Sequence, residues 1–310
     1  MLSACSGAFD THGPQSSIIL DDFWLMLGIS SAIFVAVMVL LAYALFRHNQ
    51  EPTISTKREF TLIGIGGFVL PFIVLSLLVG VTVDSLHKLT GPAPADALQI
   101  QVTGVDWWWD VYYPQSGVRT ANEIHIPAGE TVSILGLGSD VIHSFWVPQL
   151  AGKVDLIPGK PNEFKIKADQ PGTYRGQCAE YCGIGHAKMA FMVIAQPRSE
   201  FDAWLAAQQQ PANVQALDAR AAAGQKVFMS SSCSACHGIK GTPANGNVGP
   251  DLTHLASRNM FAGDSEPLNA TNLAQWISSP SSVKEGVKMP ASRFSDEDLS
   301  ALVAFLLSLN

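Results

Sequence analysis

Two long apolar runs are the first pattern in the chain. Phe23–Phe46 and Phe60–Val83 contain no charged residue, and about 20 apolar residues suffice for a helix to cross a bilayer. Each run therefore predicts a membrane-spanning helix, and together they predict a two-helix transmembrane hairpin over residues 23–90. Pro71 lies inside the second run, where membrane helices tolerate it. Two buried helices of a soluble core are the alternative, but such helices are usually shorter.

The basic residues predict the orientation of this hairpin. Arg47, Lys57 and Arg58 lie between the two runs, whereas residues 1–22 contain no Lys or Arg. Because Lys and Arg favour the cytoplasmic side of a membrane, the sequence predicts a cytoplasmic loop. The segment 1–22 and the whole C-terminal part are then expected on the extracytoplasmic, periplasmic side of a bacterial cytoplasmic membrane.

The N-terminal stretch Leu2-Ser3-Ala4-Cys5 is similar to the lipobox of bacterial lipoproteins, in which the cysteine carries a lipid. Only four residues precede Cys5, whereas a signal peptide has a basic segment and an apolar stretch before its cleavage site. Lipidation, which the similarity favours, and a plain thiol therefore both stay open for Cys5.

After residue 90 the pattern changes to short alternating runs. A Pro-rich linker, Gly91–Ala95, ends the membrane part,. Apolar and polar residues then alternate in five segments: 98–102, 123–126, 131–135, 163–167 and 190–194. Turn residues such as Pro158–Gly159 separate them. This period of two predicts an all-β sandwich or barrel over residues 97–206, with a short helix over 199–208.

A helical period returns near the C-terminus. Residues 207–218 are polar and predict a linker,. Leu299, Leu302, Val303 and Leu306 then repeat at helical spacing,. Residues 219–310 are therefore expected to form a small all-α domain. The net charge of the whole chain is −7, and no segment is basic, which makes nucleic acid an improbable partner.

The α domain carries a motif for covalent haem. Cys233-Ser-Ala-Cys236-His237 has the spacing of c-type haem attachment, in which two thiols bind the porphyrin edge and the histidine ligates the iron,. A thioredoxin-like pair of cysteines is the alternative. Met289, followed by proline, is the candidate second ligand, since a thioether opposite an imidazole raises the potential of the iron,. Met260 competes with it but is not followed by proline.

The β domain carries a second cluster, Cys178-x3-Cys182-x3-His186-x2-Met189. A disulfide between the cysteines leaves the histidine and methionine without a role, and a thioether is a poor ligand for zinc. Thiolate, imidazole and thioether together are a copper set, and two thiolates in one loop can bridge two copper ions.

A second histidine is needed, because each of two copper ions needs a histidine ligand of its own. His143 is the candidate, in the apolar stretch Val141–Pro148. His125 is the alternative, although its place in Glu123–Ile126 fits ordinary strand alternation.

Residues beyond 210 resemble a class I cytochrome c. The resemblance rests on the haem motif, on Gly249-Pro-Asp-Leu252 and on Met289-Pro290. It implies that the Pro250 carbonyl accepts a hydrogen bond from the His237 ring and that Gly224 allows the first helix of the domain to pack closely on the last, near Phe305.

Residues 20–206 resemble subunit II of a haem–copper cytochrome c oxidase. The resemblance rests on the two apolar runs, the cysteine loop, the stretch Asp155–Gly159 and the aromatic segment Val105–Tyr113. It implies a cupredoxin-like fold and a dinuclear copper centre, CuA. The family's ligands fall on His143, Cys178, Cys182, His186, Met189 and the backbone carbonyl of Glu180.

The same resemblance implies two further roles. The Glu180 side chain would help to bind magnesium shared with subunit I, and Trp107 would be the residue through which electrons enter. One departure is visible, because Gly64 stands where many relatives carry a glutamate of a proton path, and the nearest acid is Glu59.

The implied function is that of an oxidase subunit with its electron donor fused to it. Electrons would pass from haem c to CuA and then to the haem of subunit I, where oxygen is reduced to water with proton translocation. Subunit I, subunit III, membrane lipid and an upstream donor complex are the implied partners. A nitric oxide reductase subunit with CuA and a membrane-anchored carrier without an oxidase remain open as alternatives.

Overall fold

The computed structural model describes residues 6–47 and 56–310. Cys5 lies outside the described residues, so its lipidation stays a prediction. The described chain forms two compact units. One consists of Gln15–Gly91, and the other of Pro92–Asn310 together with the residues before Gln15.

The first unit contains two long apolar helices, as the sequence predicts. They are α1 (Pro14–Phe46), and a second helix made of α2 (Thr56–Gly64), a π-helical turn (Ile65–Val69) and α3 (Leu70–Thr90). Each contains an 18-residue stretch with a mean hydropathy of 2.6 whose side chains are exposed, and each is long and apolar enough to cross a membrane,.

Two details of these helices differ from the sequence prediction. The first helix begins at Pro14, because proline fits the first position of a helix,, so residues 14–22 are helical. In the second, the turn Ile65–Val69 precedes Pro71. Proline has no N–H and its ring crowds the preceding turn, so the helix widens there.

The second unit contains the predicted β-sandwich. Its ten strands are β1 (Gln99–Val105), β2 (Trp108–Tyr113), β3 (Val118–Ala121), β4 (Glu123–Pro127), β5 (Thr131–Gly138), β6 (His143–Trp146), β7 (Val154–Leu156), β8 (Asn162–Lys167), β9 (Gly172–Cys178) and β10 (Ala190–Gln196). They form two five-stranded sheets, in the orders β3-β2-β1-β5-β8 and β4-β10-β9-β6-β7. The pairs β1–β5 and β4–β10 are parallel, and the other pairs are antiparallel.

The core of the sandwich is aromatic where it supports the cysteine loop. Trp109 is fully buried, and its ring centre lies 4.9 Å from that of Phe191 and 6.1 Å from that of Phe145. Burying one such side chain contributes roughly 1.5–3 kcal/mol. Trp109 is thus a packing residue, as expected of at least one tryptophan in the 107–109 block.

The C-terminal part is mainly helical and has its own hydrophobic core. After α4 (Arg198–Gln208) the helices are α5 (Ala219–Ser230), α6 (Cys233–Cys236), α7 (Ala270–Ser278), α8 (Pro280–Val283) and α9 (Asp296–Leu306). Two short antiparallel pairs join them: β11 (His237–Gly238) with β12 (Asn245–Asn247), and β13 (Met260–Phe261) with β14 (Glu266–Pro267). Asp218, Asn269 and Ser295 cap α5, α7 and α9 by accepting a backbone N–H,.

Helices α5 and α9 touch at Gly224, as the sequence predicts. A Cβ atom at Gly224 would lie 1.9 Å from the carbonyl oxygen of Ala301. Next to this contact, the rings of Phe228 and Phe305 have centres 5.8 Å apart. The absence of a side chain at position 224 therefore sets the helix separation in this domain.

Candidate metal centres

The cysteine loop folds so that its donor atoms converge. Strand β9 ends at Cys178, and a 3₁₀ turn over His186–Lys188 brings the chain back to β10. Cys182 Sγ lies 3.7 Å from Cys178 Sγ, 3.5 Å from His186 Nδ1 and 3.8 Å from Met189 Sδ. Both cysteines are free and buried, so no disulfide joins them.

His143 reaches the same cluster from β6, which pairs with β9 through Phe145 and Cys178. Its Nδ1 atom lies 3.9 Å from Cys178 Sγ, and the side chain is fully buried. Its Nε2 atom lies 2.7 Å from Asp140 Oδ1. A carboxylate on the outer nitrogen fixes the ring so that Nδ1 faces the sulfur atoms.

The Glu180 carbonyl completes the cluster, 3.2 Å from Cys178 Sγ. The structure thus brings together all six groups that the sequence and the resemblance suggest. It places His125 elsewhere, in β4, where its ring stacks on Trp204 with centres 3.9 Å apart. The Glu180 side chain points away from the sulfur atoms and lies 3.5 Å from Lys153 Nζ, half-exposed.

Electrostatics favour a thiolate in this cluster. The pKa of Cys178 is lowered because its sulfur accepts hydrogen bonds from the Cys182 thiol and from His143. The pKa of Cys182 is raised by that shared proton and by burial. Burial acts to lower the pKa of His143, but its contacts with Cys178 and Asp140 raise it overall. A cation bound among these atoms would stabilise both thiolates.

The donor chemistry fits copper. Two thiolates, two imidazole nitrogens and a thioether are soft or intermediate ligands, which select copper over the hard cations. They lie beside the aromatic core of the sandwich and are largely buried, so water has little access. This fit supports a copper centre at the loop.

The haem motif lines a cavity of about 260 Å³ in the second unit. Cys233, Cys236 and His237 form one side of the cavity, and Met260 and Met289 also line it. The His237 Nδ1–H donates to the Pro250 carbonyl at 2.7 Å, as the resemblance implies. Burial lowers the pKa of His237, which keeps the imidazole neutral and able to ligate a metal.

Two features of the cavity fit a haem. A Cβ atom at Gly249 would lie 2.5 Å from His237 Cε1, so only glycine leaves the ring its place. Arg258 is buried beside the cavity, and its Nε atom has no hydrogen-bond partner among the residues that the structure describes. Its Nη2 atom donates to the Asp251 carbonyl at 2.6 Å, so Nε is the buried donor left without a partner in the described part of the chain. Such a donor favours an acceptor in the cavity, and a haem supplies acid side chains.

Trp107 lies close to both groups of candidate ligands, in a turn between two strands. Strand β1 ends at Val105 and β2 begins at Trp108, so Trp107 lies in the turn. Its Nε1–H donates to the Cys182 carbonyl at 2.8 Å. Trp107 and Trp108 both line the same cavity as the haem motif. The cavity is thus shared by the β domain and the helical domain.

Two site residues carry little signal in the sequence. Asp140 is an isolated acid before the short strand of His143, and Arg258 shares no motif with the haem-binding residues beside which it lies. The one local signal for Asp140 is its position, since an acid stands three residues before His143 and next to a short apolar strand.

Comparison with known proteins agrees with this architecture. Residues 115–196 match the family model of the periplasmic domain of cytochrome c oxidase subunit II, and residues 221–310 match that of cytochrome c. Cytochrome c oxidase subunit 2 of Alkalihalophilus pseudofirmus is 34% identical, over 99% of this chain and 93% of the relative. The corresponding protein of Bacillus subtilis is 28% identical, over 100% and 94%.

A solved structure covers the β domain. The periplasmic domain of subunit II of the cytochrome oxidase of Bradyrhizobium japonicum is 31% identical, and the match spans 38% of this chain and 96% of that one, with a TM-score of 0.37. The full-length similarity to the Alkalihalophilus protein is what decides the family. The chain belongs to the cytochrome c oxidase subunit II family, as a membrane protein with a cytochrome c domain at its C-terminus.

Proposed function

We propose that this chain receives the electrons of a cytochrome c oxidase and relays them from its own covalent haem c, through a dinuclear CuA centre, to the haem of subunit I. Oxygen is reduced to water there, coupled to proton translocation. The observation that carries the proposal is the shared cavity, which is lined by Cys233, Cys236 and His237 and also by Trp107 and Trp108. This arrangement would place donor and acceptor sites next to each other in a single chain.

His143, Cys178, Cys182, His186, Met189 and the Glu180 carbonyl would hold the copper. The bound copper would supply a one-electron redox centre. The protein contributes fixed ligand positions. Asp140 orients His143, β6 and β9 hold the ends of the cluster together, and the buried core limits water. A rigid, dry site changes little when its charge changes, which favours rapid electron transfer.

Cys233 and Cys236 would hold the haem covalently, and His237 and Met289 would ligate its iron. Pro250 orients the His237 ring, and Arg258 would pair with an acid side chain of the haem. A matched pair of variants tests the second ligand, because Met260 and Met289 both line the cavity. We expect Met289→Leu to lower the haem potential and Met260→Leu to leave it unchanged. The reverse result would assign Met260.

Trp107 would be the residue through which electrons pass between the domains. Its indole N–H bonds to the main chain of Cys182, and its ring forms part of the cavity wall. It therefore connects the haem site to a copper ligand by a hydrogen bond and short covalent links.

The assembly follows from the same subunit II architecture. Subunit I, and with it subunit III, would pack on the two apolar helices, and an upstream respiratory complex or cytochrome would reduce the haem. The half-exposed Glu180 carboxylate would help to bind magnesium against subunit I. The β and cytochrome domains and both termini would lie in the periplasm. Protease added to intact spheroplasts should digest both domains, whereas digestion only from the cytoplasmic side would contradict this topology.

The relay is tested by removing the copper bridge. In the purified oxidase, Cys182→Ser should leave the haem attached and reducible, but abolish the rapid reoxidation of that haem after a pulse of reductant. Ser230→Ala, on α5, is the matched control and should behave as the parent chain. Unchanged haem reoxidation in Cys182→Ser would show that electrons leave the haem by another route.

A further inference from the structure

Lys284 is a buried lysine outside both metal sites. It follows α8, and only 2% of it is exposed. Its Nζ atom lies 2.5 Å from the Trp107 carbonyl oxygen, 2.6 Å from that of Lys188 and 3.0 Å from that of Ala262. Two of the three carbonyls belong to the β domain, and only Ala262 belongs to the cytochrome domain.

The chemistry of this cage suits an ammonium group. A lysine ammonium has three N–H donors and no acceptor, and the three carbonyls use all of them. A buried charge is costly unless it is hydrogen-bonded, and the ion pairs among residues 6–47 and 56–310 do not include Lys284. The cage is complete only while the two domains touch, since separation removes two of its three acceptors.

Neighbouring contacts also cross the boundary between the β domain and the cytochrome domain. Lys188 of the β domain donates to the Val283 carbonyl at 2.5 Å, and Lys288 of the cytochrome domain lies 3.0 Å from Asp106 Oδ2. Gly286 lies against Trp107, where a Cβ atom would be 3.0 Å from the indole ring. The segment 284–288 is thus fitted to the surface around Trp107.

We propose that Lys284 is a positioning residue that locks the cytochrome domain in one orientation over Trp107. Trp107 is only 9% exposed in this arrangement. In this orientation the chain's own haem site faces Trp107, and the cytochrome domain covers Trp107 against a soluble donor protein. External donors must therefore reduce the haem and not the copper. The positioning itself is independent of the metals, whereas its effect on electron flow rests on the proposed function.

Two backbone amides report on the lock directly. The Ala190 amide donates to the Gly263 carbonyl, and the Asn259 amide donates to Glu123 Oε1. Each bond crosses the domain boundary. The Cys178 amide donates to the Met189 carbonyl within the β domain and serves as an internal reference.

The experiment is amide hydrogen exchange on the full chain in its oxidase complex, comparing the parent chain with Lys284→Met. Exchange at Ala190 and Asn259 should rise at least tenfold, while Cys178 keeps its protection. Lys226→Met removes an exposed charge of the same domain and should change none of the three amides. Unchanged exchange at Ala190 and Asn259 in Lys284→Met would overturn the proposal.

A second measurement needs no variant and covers the case in which Lys284→Met fails to fold. Brief acetylation of the parent chain should modify Lys226 at least tenfold faster than Lys284, and equal rates would overturn the proposal. For the effect on electron flow, Lys284→Met in a haem-free Cys233→Ala, Cys236→Ala background should let a soluble reduced cytochrome c reduce the copper, which the locked parent of that background resists. Failure of this arm alone, with the exchange result intact, would count against the exclusion of external donors from Trp107 and not against the lock.

Discussion

Replacing Gly224 by alanine sets two opposite effects against each other. Glycine inside a helix costs about 1 kcal/mol relative to alanine, so helix propensity alone predicts that Gly224→Ala stabilises the cytochrome domain. The structure predicts the reverse, because the new Cβ would lie 1.9 Å from the Ala301 carbonyl oxygen. The sign of the measured change therefore tests the packing of α5 on α9.

The size of the effect follows from this contact. An ordinary carbon–oxygen contact is about 3.3 Å or longer. Neither the new Cβ atom nor the Ala301 carbonyl oxygen can move away without its backbone, so the two helices must separate by roughly 1.4 Å. Overpacking of this kind costs roughly 1–3 kcal/mol or more. After the gain in propensity, we expect a net loss of about 2 kcal/mol, which lowers the Tm of a domain of this size by roughly 8–16 °C.

Differential scanning calorimetry of the detergent-solubilised chain measures this shift in the transition of the cytochrome domain. Ala223→Gly is the matched control, because Ala223 is exposed on the same helix and reports propensity alone, at about 1 kcal/mol. A higher Tm for Gly224→Ala would refute the close packing of α5 on α9.

Three further predictions concern the interface and the copper site. Burial raises the pKa of Asp264 to about 6, so its charged form destabilises the fold above pH 6, and this penalty vanishes below about pH 4. At pH 8, Asp264→Asn should therefore stabilise the fold by about 1 kcal/mol after discounting for partial exposure, measured as a higher Tm, whereas at pH 4 it should leave Tm unchanged. Asp140→Ala should weaken copper binding roughly 10–100-fold, measured by metal titration, because His143 loses its orienting carboxylate,. Trp107→Phe removes the donor to the Cys182 carbonyl and should slow haem-to-copper electron transfer in stopped-flow, with haem content unchanged.

The sequence predicts the copper cluster well because most of its ligands lie in one short loop. Cys178, Cys182, His186 and Met189 need only a turn to converge, and local spacing contains that information. His143 could be inferred because its short apolar stretch is typical of a strand, and strands bring distant residues together. The alternation around His125 already favoured His143, and the pairing of β6 with β9 brings His143 to the cluster.

The contacts between domains could not be predicted in the same way. Lys284 bonds to carbonyls of Trp107 and Lys188, and backbone carbonyls have no sequence signature. The place of Trp107 in a turn also has no local signal, since residues 107–109 form one continuous aromatic run that hides the break between β1 and β2. Strands such as β6, buried on both faces, lack the alternation that revealed five of the ten strands.

The central claim is that one chain holds a dinuclear copper centre and a haem c side by side. Electronic and electron paramagnetic resonance spectra of the purified, metal-loaded chain test it most directly. The spectra should show the signal of one unpaired electron shared by two copper ions, together with a low-spin haem c. A colourless zinc protein without haem would contradict it.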